Sequence, residues 1–306
     1  MLLANPRGFC AGVDRAIAVV DQLLDQHGGP IYVRKEIVHN RQVVERLRAR
    51  GAVFVEEVEE TPEGAILVFS AHGISPEVRR KAAERRLRVV DATCPLVSKV
   101  HYEAKKFAGA GLHVLLIGHA DHDEVIGTMG EIPGQITLVE DVDAVDHVAV
   151  PDPDRVAVIT QTTLSVDETR EIMDAVRRKF PNVRTPARDD ICYATQNRQD
   201  AVRDLAQQCD VMIVVGSQNS SNSLRLRELA QQLGSKGYLV DHPDQVQADW
   251  VKDAQRVGVT AGASSPENLT QAIVAKLREF GAFDIEEFGE PEPEIIFTMP
   301  REISLI

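Results

Sequence analysis

Cys10, Cys94 and Cys192 are each followed by a helical pattern and stand at intervals of 84 and 98 residues. Those gaps are far too long for a CxxC knuckle. They suit three structural units that each bring one thiolate to a common centre. Three thiolates without a fourth close by point to a metal cluster with one open coordination position, and an open position means chemistry rather than structure alone. Burial as ordinary core cysteines is the bland alternative, but three equivalent positions at the start of helices are hard to obtain by chance. A helix N-terminus also favours a thiolate. Cys209 precedes an apolar run and has no counterpart elsewhere in the chain, so it reads as core, with a fourth ligand as the lesser alternative.

Polar residues recur at matched distances from these cysteines. His39 lies 29 residues after Cys10, His122 lies 28 after Cys94, and Ser220 lies 28 after Cys192. A second polar loop follows each of these, at His72, Thr162 and Ser264, after 33, 40 and 44 residues. Histidine charges near neutral pH and can hold phosphate or carry protons. Ser220, Ser221 and Asn222 precede a helical segment, where they could be plain caps. Free N–H groups and hydroxyls at such a place also make a phosphate site, and Ser264 stands on the matching loop. Few Lys or Arg occur in these loops, so an anion there would be held by neutral donors and protonatable histidines. Glu124, two residues from His122 and paired by the repeat with the Thr162 loop, is a candidate proton donor.

The elements that must position these residues follow the same repeat. Six short apolar runs (31–33, 65–69, 114–117, 156–159, 211–215 and 257–260) each lead into one of the polar loops. They are continuous rather than alternating, which marks strands buried on both faces of parallel, helix-covered sheets. Helical patterns fill the gaps: Ile17, Val20 and Leu24 form one stripe closed by Gly28-Gly29, Pro95 suits a first helical turn, and Arg198–Gln208 and Leu224–Leu233 complete similar units. Each third therefore reads as cysteine, helix, strand, polar loop, helix, strand, polar loop, a diverged repeat of about 90 residues. Ligands of parallel sheets bind beyond the carboxyl ends of the strands. The expected organisation is α/β, with segments 1–97 (carrying an N-terminal strand and Cys10), 98–194 and 195–282 facing a shared centre, boundaries just after Cys94 and Cys192, and an extended, late-docking tail at 283–306.

Bulk properties agree with this. The 306 residues are 43% hydrophobic and 26% charged, ordinary for a globular protein. No apolar run reaches the roughly 20 residues of a spanning helix, and the first residues lack the pattern of a signal peptide, so no membrane association is expected and the cytoplasm is the expected location. Four cysteines in so long a chain do not form a disulfide framework. A net charge of −13 argues against a general nucleic-acid binder without excluding one small anion in a local pocket.

The stretches Ala4-Asn5-Pro6-Arg7-Gly8-Phe9-Cys10-Ala11-Gly12, Ala92-Thr93-Cys94-Pro95, Thr160-Gln161-Thr162-Thr163-Leu164-Ser165, Ile191-Cys192-Tyr193-Ala194-Thr195-Gln196-Asn197-Arg198, Asn219-Ser220-Ser221-Asn222-Ser223 and Thr260-Ala261-Gly262-Ala263-Ser264 resemble the LytB-type 4-hydroxy-3-methylbut-2-enyl diphosphate reductases. The likeness runs from residue 1 to about 270 in order; Gln218 stands where some members carry Lys. The resemblance implies a trefoil of three α/β domains arranged pseudo-threefold around a [4Fe–4S] cluster, found as [3Fe–4S] when its labile iron is lost. It implies reduction of the allylic diphosphate to isopentenyl and dimethylallyl diphosphate plus water, the last step of the methylerythritol phosphate route to isoprenoids, with ferredoxin or flavodoxin as electron donor. Carried over by position, Cys10, Cys94 and Cys192 hold the cluster. His39, His72, Ser220, Asn222 and Ser264 hold the diphosphate with Ser221 and His122 close by, and Glu124, assisted by Thr162 and His122, delivers protons. Rival readings are a non-redox dehydratase using an open iron as Lewis acid, an iron–sulfur sensor and a three-thiolate zinc site. The dehydratase needs no reductant, the sensor needs an output module that the sequence does not show, and the zinc site would be colourless.

Overall fold

The computed structural model describes residues 1–281 and 284–306. The expected boundary between the last α/β segment and the tail, at 282 and 283, lies outside these described residues. The chain divides into two compact units: Met1–Asp14, Val38–Arg46 and Tyr193–Ile296 form one, and Arg15–Ile37, Leu47–Cys192 and Phe297–Ile306 the other.

All six expected strands form, within a residue of their expected ends: β2 (Ile31–Arg34), β4 (Ile66–Phe69), β6 (His113–Ile117), β8 (Val156–Thr160), β9 (Val211–Val215) and β11 (Val257–Ala261). The expected N-terminal strand forms as β1 (Leu2–Ala4), and among the described residues five more join them: β3 (Ala52–Val55), β5 (Arg88–Asp91), β7 (Ile136–Val139), β10 (Lys236–Val240) and β12 (Glu286–Phe288). They build three sheets, ordered β3-β2-β4-β5, β7-β6-β8 and β10-β9-β11-β1-β12, in which every pairing is parallel.

The three orders are one pattern. In each sheet the first strand of the repeat is central, the next lies outside it, and the third lies on its other side. The fourth position, beside that third strand, is filled by β5 in one sheet and by β1, from the start of the chain, in another. In the three-stranded sheet a single parallel bridge from Ala157 to Arg184 marks the same place. A cysteine follows each of these three fourth-position segments. Each cysteine therefore closes a sheet rather than opening one: Cys10 leaves the sheet built mainly from the last third of the chain, and Cys94 leaves the sheet that precedes it in sequence.

Helices run between the strands: α1 (Ala11–His27), α2 (Arg41–Ala49), α3 (Pro76–Glu84), α4 (Pro95–Gly109), α5 (Asp123–Glu131), α6 (Val142–His147), α7 (Val166–Lys179), α8 (Tyr193–Ala206), α9 (Ser221–Gln232), α10 (Ala248–Val251) and α11 (Glu267–Glu279). Helix α8 starts five residues before Arg198, the first residue of the expected segment, directly behind Cys192. The apolar runs are continuous because two layers cover them. Val211, Ile213 and Val215 of β9 face Leu269, Ile273, Val274 and Leu277 of α11, while Met212 and Val214 face Val202 and Leu205 of α8 and Leu226 and Leu229 of α9. Strand β6 divides in the same way, with Leu115 and Ile117 towards Ile172 and Val176 of α7 and Val114 and Leu116 towards Val100, Ala104 and Phe107 of α4. Among the described residues no helix is long and apolar enough to cross a membrane.

Candidate active site

Each of the three cysteines stands at the head of a helix. Cys94 is the N-cap of α4 with Pro95 at the first helical position, and its carbonyl accepts from Ser98 N at 2.9 Å. Cys10 and Cys192 directly precede α1 and α8, and the Cys10 carbonyl accepts from Asp14 N at 3.0 Å. The backbone N–H of each is tied to the polar loop at the end of a neighbouring strand: Cys10 N to Ala263 O at 3.0 Å, Cys94 N to Ala71 O at 2.9 Å, and Cys192 N to Thr162 O at 3.0 Å. The repeat inferred from spacing is thus a repeated hydrogen bond. Ala263 adjoins Ser264, Ala71 adjoins His72, and Thr162 is itself a candidate residue. None of the three forms a disulfide, and all three are partly buried. Burial pushes the Cys10 thiol up, while the N–H of Val13, the Arg198 guanidinium and the N–H of Gly12 pull it back. Thiols outside disulfides at helix heads, backed by helix dipoles, fit the donor set of an iron–sulfur cluster. Cys209 is different: it lies in the core beside Leu205, Met212 and Leu239, and burial raises its thiol to about 11.

In the first unit the structure brings together His39, Ser220, Asn222 and Ser264. Ser220 caps α9, its Oγ accepting from Ser223 N at 3.4 Å. Its hydroxyl lies 3.4 Å from that of Ser264, which donates to the His39 carbonyl at 3.0 Å. Asn222 is held from both sides, Oδ1 accepting from Ala263 N at 2.9 Å and Nδ2 donating to Thr195 Oγ1 at 3.4 Å. Asn219 Nδ2 lies 3.4 Å from His39 Nδ1. Ser220, Ser221, Asn222 and Ser264 are all buried. This density of hydroxyls at a helix N-terminus needs small neighbours. A Cβ on Gly216 would fall 2.5 Å from Ser223 Cβ, and one on Gly262 would fall 2.1 Å from Ser223 Oγ.

The second unit gathers His72, His122, Glu124 and Thr162. Glu124 is 2% exposed, and its carboxylate accepts from Thr162 N at 2.8 Å and Thr162 Oγ1 at 2.9 Å. Burial lifts this carboxyl to about 7. The two Thr162 hydrogen bonds oppose that rise, and the Asp190 charge adds to it. His122 caps α5, with Nδ1 accepting from Glu124 N at 3.2 Å, so the neutral ring carries its proton on Nε2. The rings of His72 and His122 meet edge to face with centroids 6.0 Å apart, and Ser70 Oγ is 3.3 Å from His72 Nδ1.

Three supporting residues escaped the reading of spacing. Asp190, two residues before Cys192, is buried and takes Lys99 Nζ at 2.9 Å and Thr160 N at 3.0 Å. The only trace of it in the sequence is the acid pair Asp189-Asp190. Thr195, wholly buried, positions Asn222 from inside the Cys192 motif. Lys99 also binds the Arg188 and Asp189 carbonyls at 2.8 Å, fixing the segment that leads into Cys192.

Three parallel sheets, each followed by a cysteine at the head of a helix and a polar loop, together with a buried acid whose carboxyl is raised to about 7, define an α/β protein built on one repeated unit. The chain belongs to the LytB protein family, whose model matches residues 1–278. It is 56% identical over 307 residues to the 4-hydroxy-3-methylbut-2-enyl diphosphate reductase of Hahella chejuensis, covering 99% of this chain and 97% of that one. It is 55% identical over 305 residues to 4-hydroxy-3-methylbut-2-enyl diphosphate reductase 2 of Burkholderia mallei, covering 100% of this chain and 94% of the relative. Among solved structures, the E-1-hydroxy-2-methyl-but-2-enyl-4-diphosphate reductase of Plasmodium falciparum superposes with a TM-score of 0.96 at 39% identity, covering 100% of this chain and 97% of that one.

Proposed function

We propose that this protein reduces 4-hydroxy-3-methylbut-2-enyl diphosphate, replacing the allylic hydroxyl with hydrogen. Two electrons and two protons enter, one C–O bond breaks, one C–H bond forms, and water leaves with isopentenyl and dimethylallyl diphosphate as products. This would make it the last enzyme of the methylerythritol phosphate route, working in a reducing compartment such as the cytoplasm, where free cysteines persist. The observation that carries the reading is the buried Glu124 carboxyl at about 7, clasped by Thr162, whose carbonyl holds the Cys192 backbone.

Cys10, Cys94 and Cys192 are the residues that hold a [4Fe–4S] cluster in this reading. When bound, the cluster supplies electrons one at a time and a Lewis-acidic iron for the substrate oxygen. The chain's own groups do the rest. Ser220, Ser221, Asn222 and Ser264 offer hydroxyl and amide donors to the diphosphate, backed by the N–H groups of α9. His39, His72 and His122 add protonatable donors. An alcohol is a poor leaving group until protonated, and the allylic carbon then needs a proton as well. Glu124 is half protonated near neutral pH, the condition for a group that must give protons and recover them, and Thr162 keeps its two oxygens oriented. The electron donor is of the ferredoxin or flavodoxin type.

The test is anaerobic turnover of the diphosphate by cluster-reconstituted protein, followed by oxidation of reduced methyl viologen. Substrate-dependent oxidation with both isoprenoid diphosphates as products is expected. Conversion without a reductant would instead establish the dehydratase, and no turnover in protein with an intact cluster would overturn the proposal.

A further inference from the structure

The C-terminal tail contributes little to the recognisable motifs, yet within the first unit it is bound to the segment that carries Cys10. Strand β12 adds to β1, and Asn5 N donates to Phe288 O at 2.7 Å. Arg7 grips Glu287 through both terminal nitrogens, at 2.6 and 3.1 Å. Beyond Gly289 the run Glu290-Pro291-Glu292-Pro293-Glu294 is held extended by its prolines. Glu290 and Glu294 are exposed, whereas the Glu292 side chain is 15% exposed. Its carboxylate accepts from Asn197 Nδ2 at 2.9 Å and from Arg198 Nη1 at 3.1 and 3.3 Å.

Arg198 is the unusual partner. A guanidinium only 1% exposed is costly unless its charge and donors are met. Besides Glu292, it donates through Nη2 to the Gly8 carbonyl at 2.8 Å and through Nη1 to the Ala194 carbonyl at 2.9 Å. Gly8 stands two residues before Cys10, and Ala194 two residues after Cys192. One buried cation thus fastens the backbone beside two of the three cysteines, and its counter-charge comes from the tail.

We propose that Glu292 and Arg198 form a positioning pair that sets the stability and reduction potential of the iron–sulfur centre from the tail. Neither is a catalytic residue. Arg198 orders the ligand segments, and Glu292 holds Arg198 in place and offsets its charge. The inference rests on the cluster reading above.

The test compares full-length Glu292→Ala, Glu292→Gln and the exposed neighbour Glu294→Ala, each reconstituted anaerobically. Three quantities are followed: the rate of cluster absorbance loss in air, the midpoint potential by dye-monitored titration, and the melting temperature of the cluster-free chain. Glu292→Ala is expected to lose its cluster roughly 10–100-fold faster, the usual effect of removing a partner that orients a ligand, with a midpoint potential moved positive. Glu292→Gln keeps an acceptor oxygen but no charge. It should show the positive shift with a smaller change in lifetime, and this variant guards against misfolding of the alanine form. Glu294→Ala should match wild type. Wild-type lifetime and potential in both Glu292 variants would overturn the pair's role. So would a shortened lifetime that only follows a lower melting temperature at unchanged potential. Wild-type protein that takes up no cluster would overturn the proposed function and this inference together; a loaded wild type with unmoved variants overturns this inference alone.

Discussion

At the residue scale the proposed chemistry turns on one carboxyl. Glu124 gains its raised value from burial, and the two hydrogen bonds from Thr162 hold that rise at about 7. Glu124→Gln keeps the shape and loses the proton, so turnover should fall by the roughly 10²–10⁴ typical of a lost general acid while cluster absorbance stays at the wild-type level. Unchanged turnover would remove Glu124 from the mechanism. Thr162→Val removes one stabilising hydrogen bond from the ionised form but keeps the backbone one. The carboxyl should then rise above about 7, and the alkaline limb of the rate profile should move to higher pH. A limb that moved down would mean the hydroxyl serves the protonated form instead. Stability carries the same sign. The folded-state value lies above the usual 4.5, so the fold favours the proton. That contribution is complete below about pH 4.5 and is lost as pH rises through about 7. The melting temperature of Glu124→Gln relative to wild type should therefore climb across that range.

At the scale of single elements, the proposed diphosphate site depends on how closely α9 meets the ends of β9 and β11. Glycine at 216 makes that approach possible: an added Cβ would meet Ser223 Cβ at 2.5 Å, an atom fixed to the helix backbone. Gly216→Ala should cost roughly 1–3 kcal/mol, as overpacking does, and should displace Ser220 and Asn222 together. Denaturant unfolding would show the first effect, and a raised KM for the diphosphate at a nearly normal cluster content would show the second. A stability loss with an unaltered KM would separate α9 from substrate binding. The sequence showed α9 and its serines readily, because hydroxyls ahead of an amphipathic run are a cap signal. It did not show the glycine contact, since nothing in Val215-Gly216-Ser217 says which side chain will approach. Strands β3, β7 and β10 were missed for a related reason. They carry no polar loop of functional type at their ends; Thr137 interrupts the run of β7 and Gly237 that of β10, while the short unbroken run Ala52-Val53-Phe54-Val55 of β3 leads only into Glu56-Glu57.

At the scale of the whole molecule, the threefold pattern of cysteines was legible from spacing, with segment ends just after Cys94 and Cys192, but the place of Cys10 was not. Spacing alone cannot say whether Cys10 opens the unit that follows it or closes a sheet formed elsewhere in the chain. Backbone pairing decides: β1 fills the place in its sheet that β5 fills in another, so the chain's first residues complete the sheet formed by its last third. This makes the cysteines unequal to Cys209 in a way that can be tested. Cys10, Cys94 and Cys192 sit at the ends of sheets, at helix heads, with thiols only partly buried, whereas Cys209 is packed within a sheet's apolar face. Each of Cys10→Ser, Cys94→Ser and Cys192→Ser should lose most cluster absorbance after reconstitution and most activity, while unfolding of the cluster-free chain changes little, because a partly buried thiol contributes little packing. Cys209→Ser should behave oppositely, with wild-type cluster content and a stability loss on the order of 1–3 kcal/mol from an unsatisfied hydroxyl in the core. Iron and sulfide analysis beside denaturant curves for the four variants decides the matter. Full cluster content in any of the first three, or its loss in Cys209→Ser with the fold intact, would mean that the ligand set does not follow the repeat.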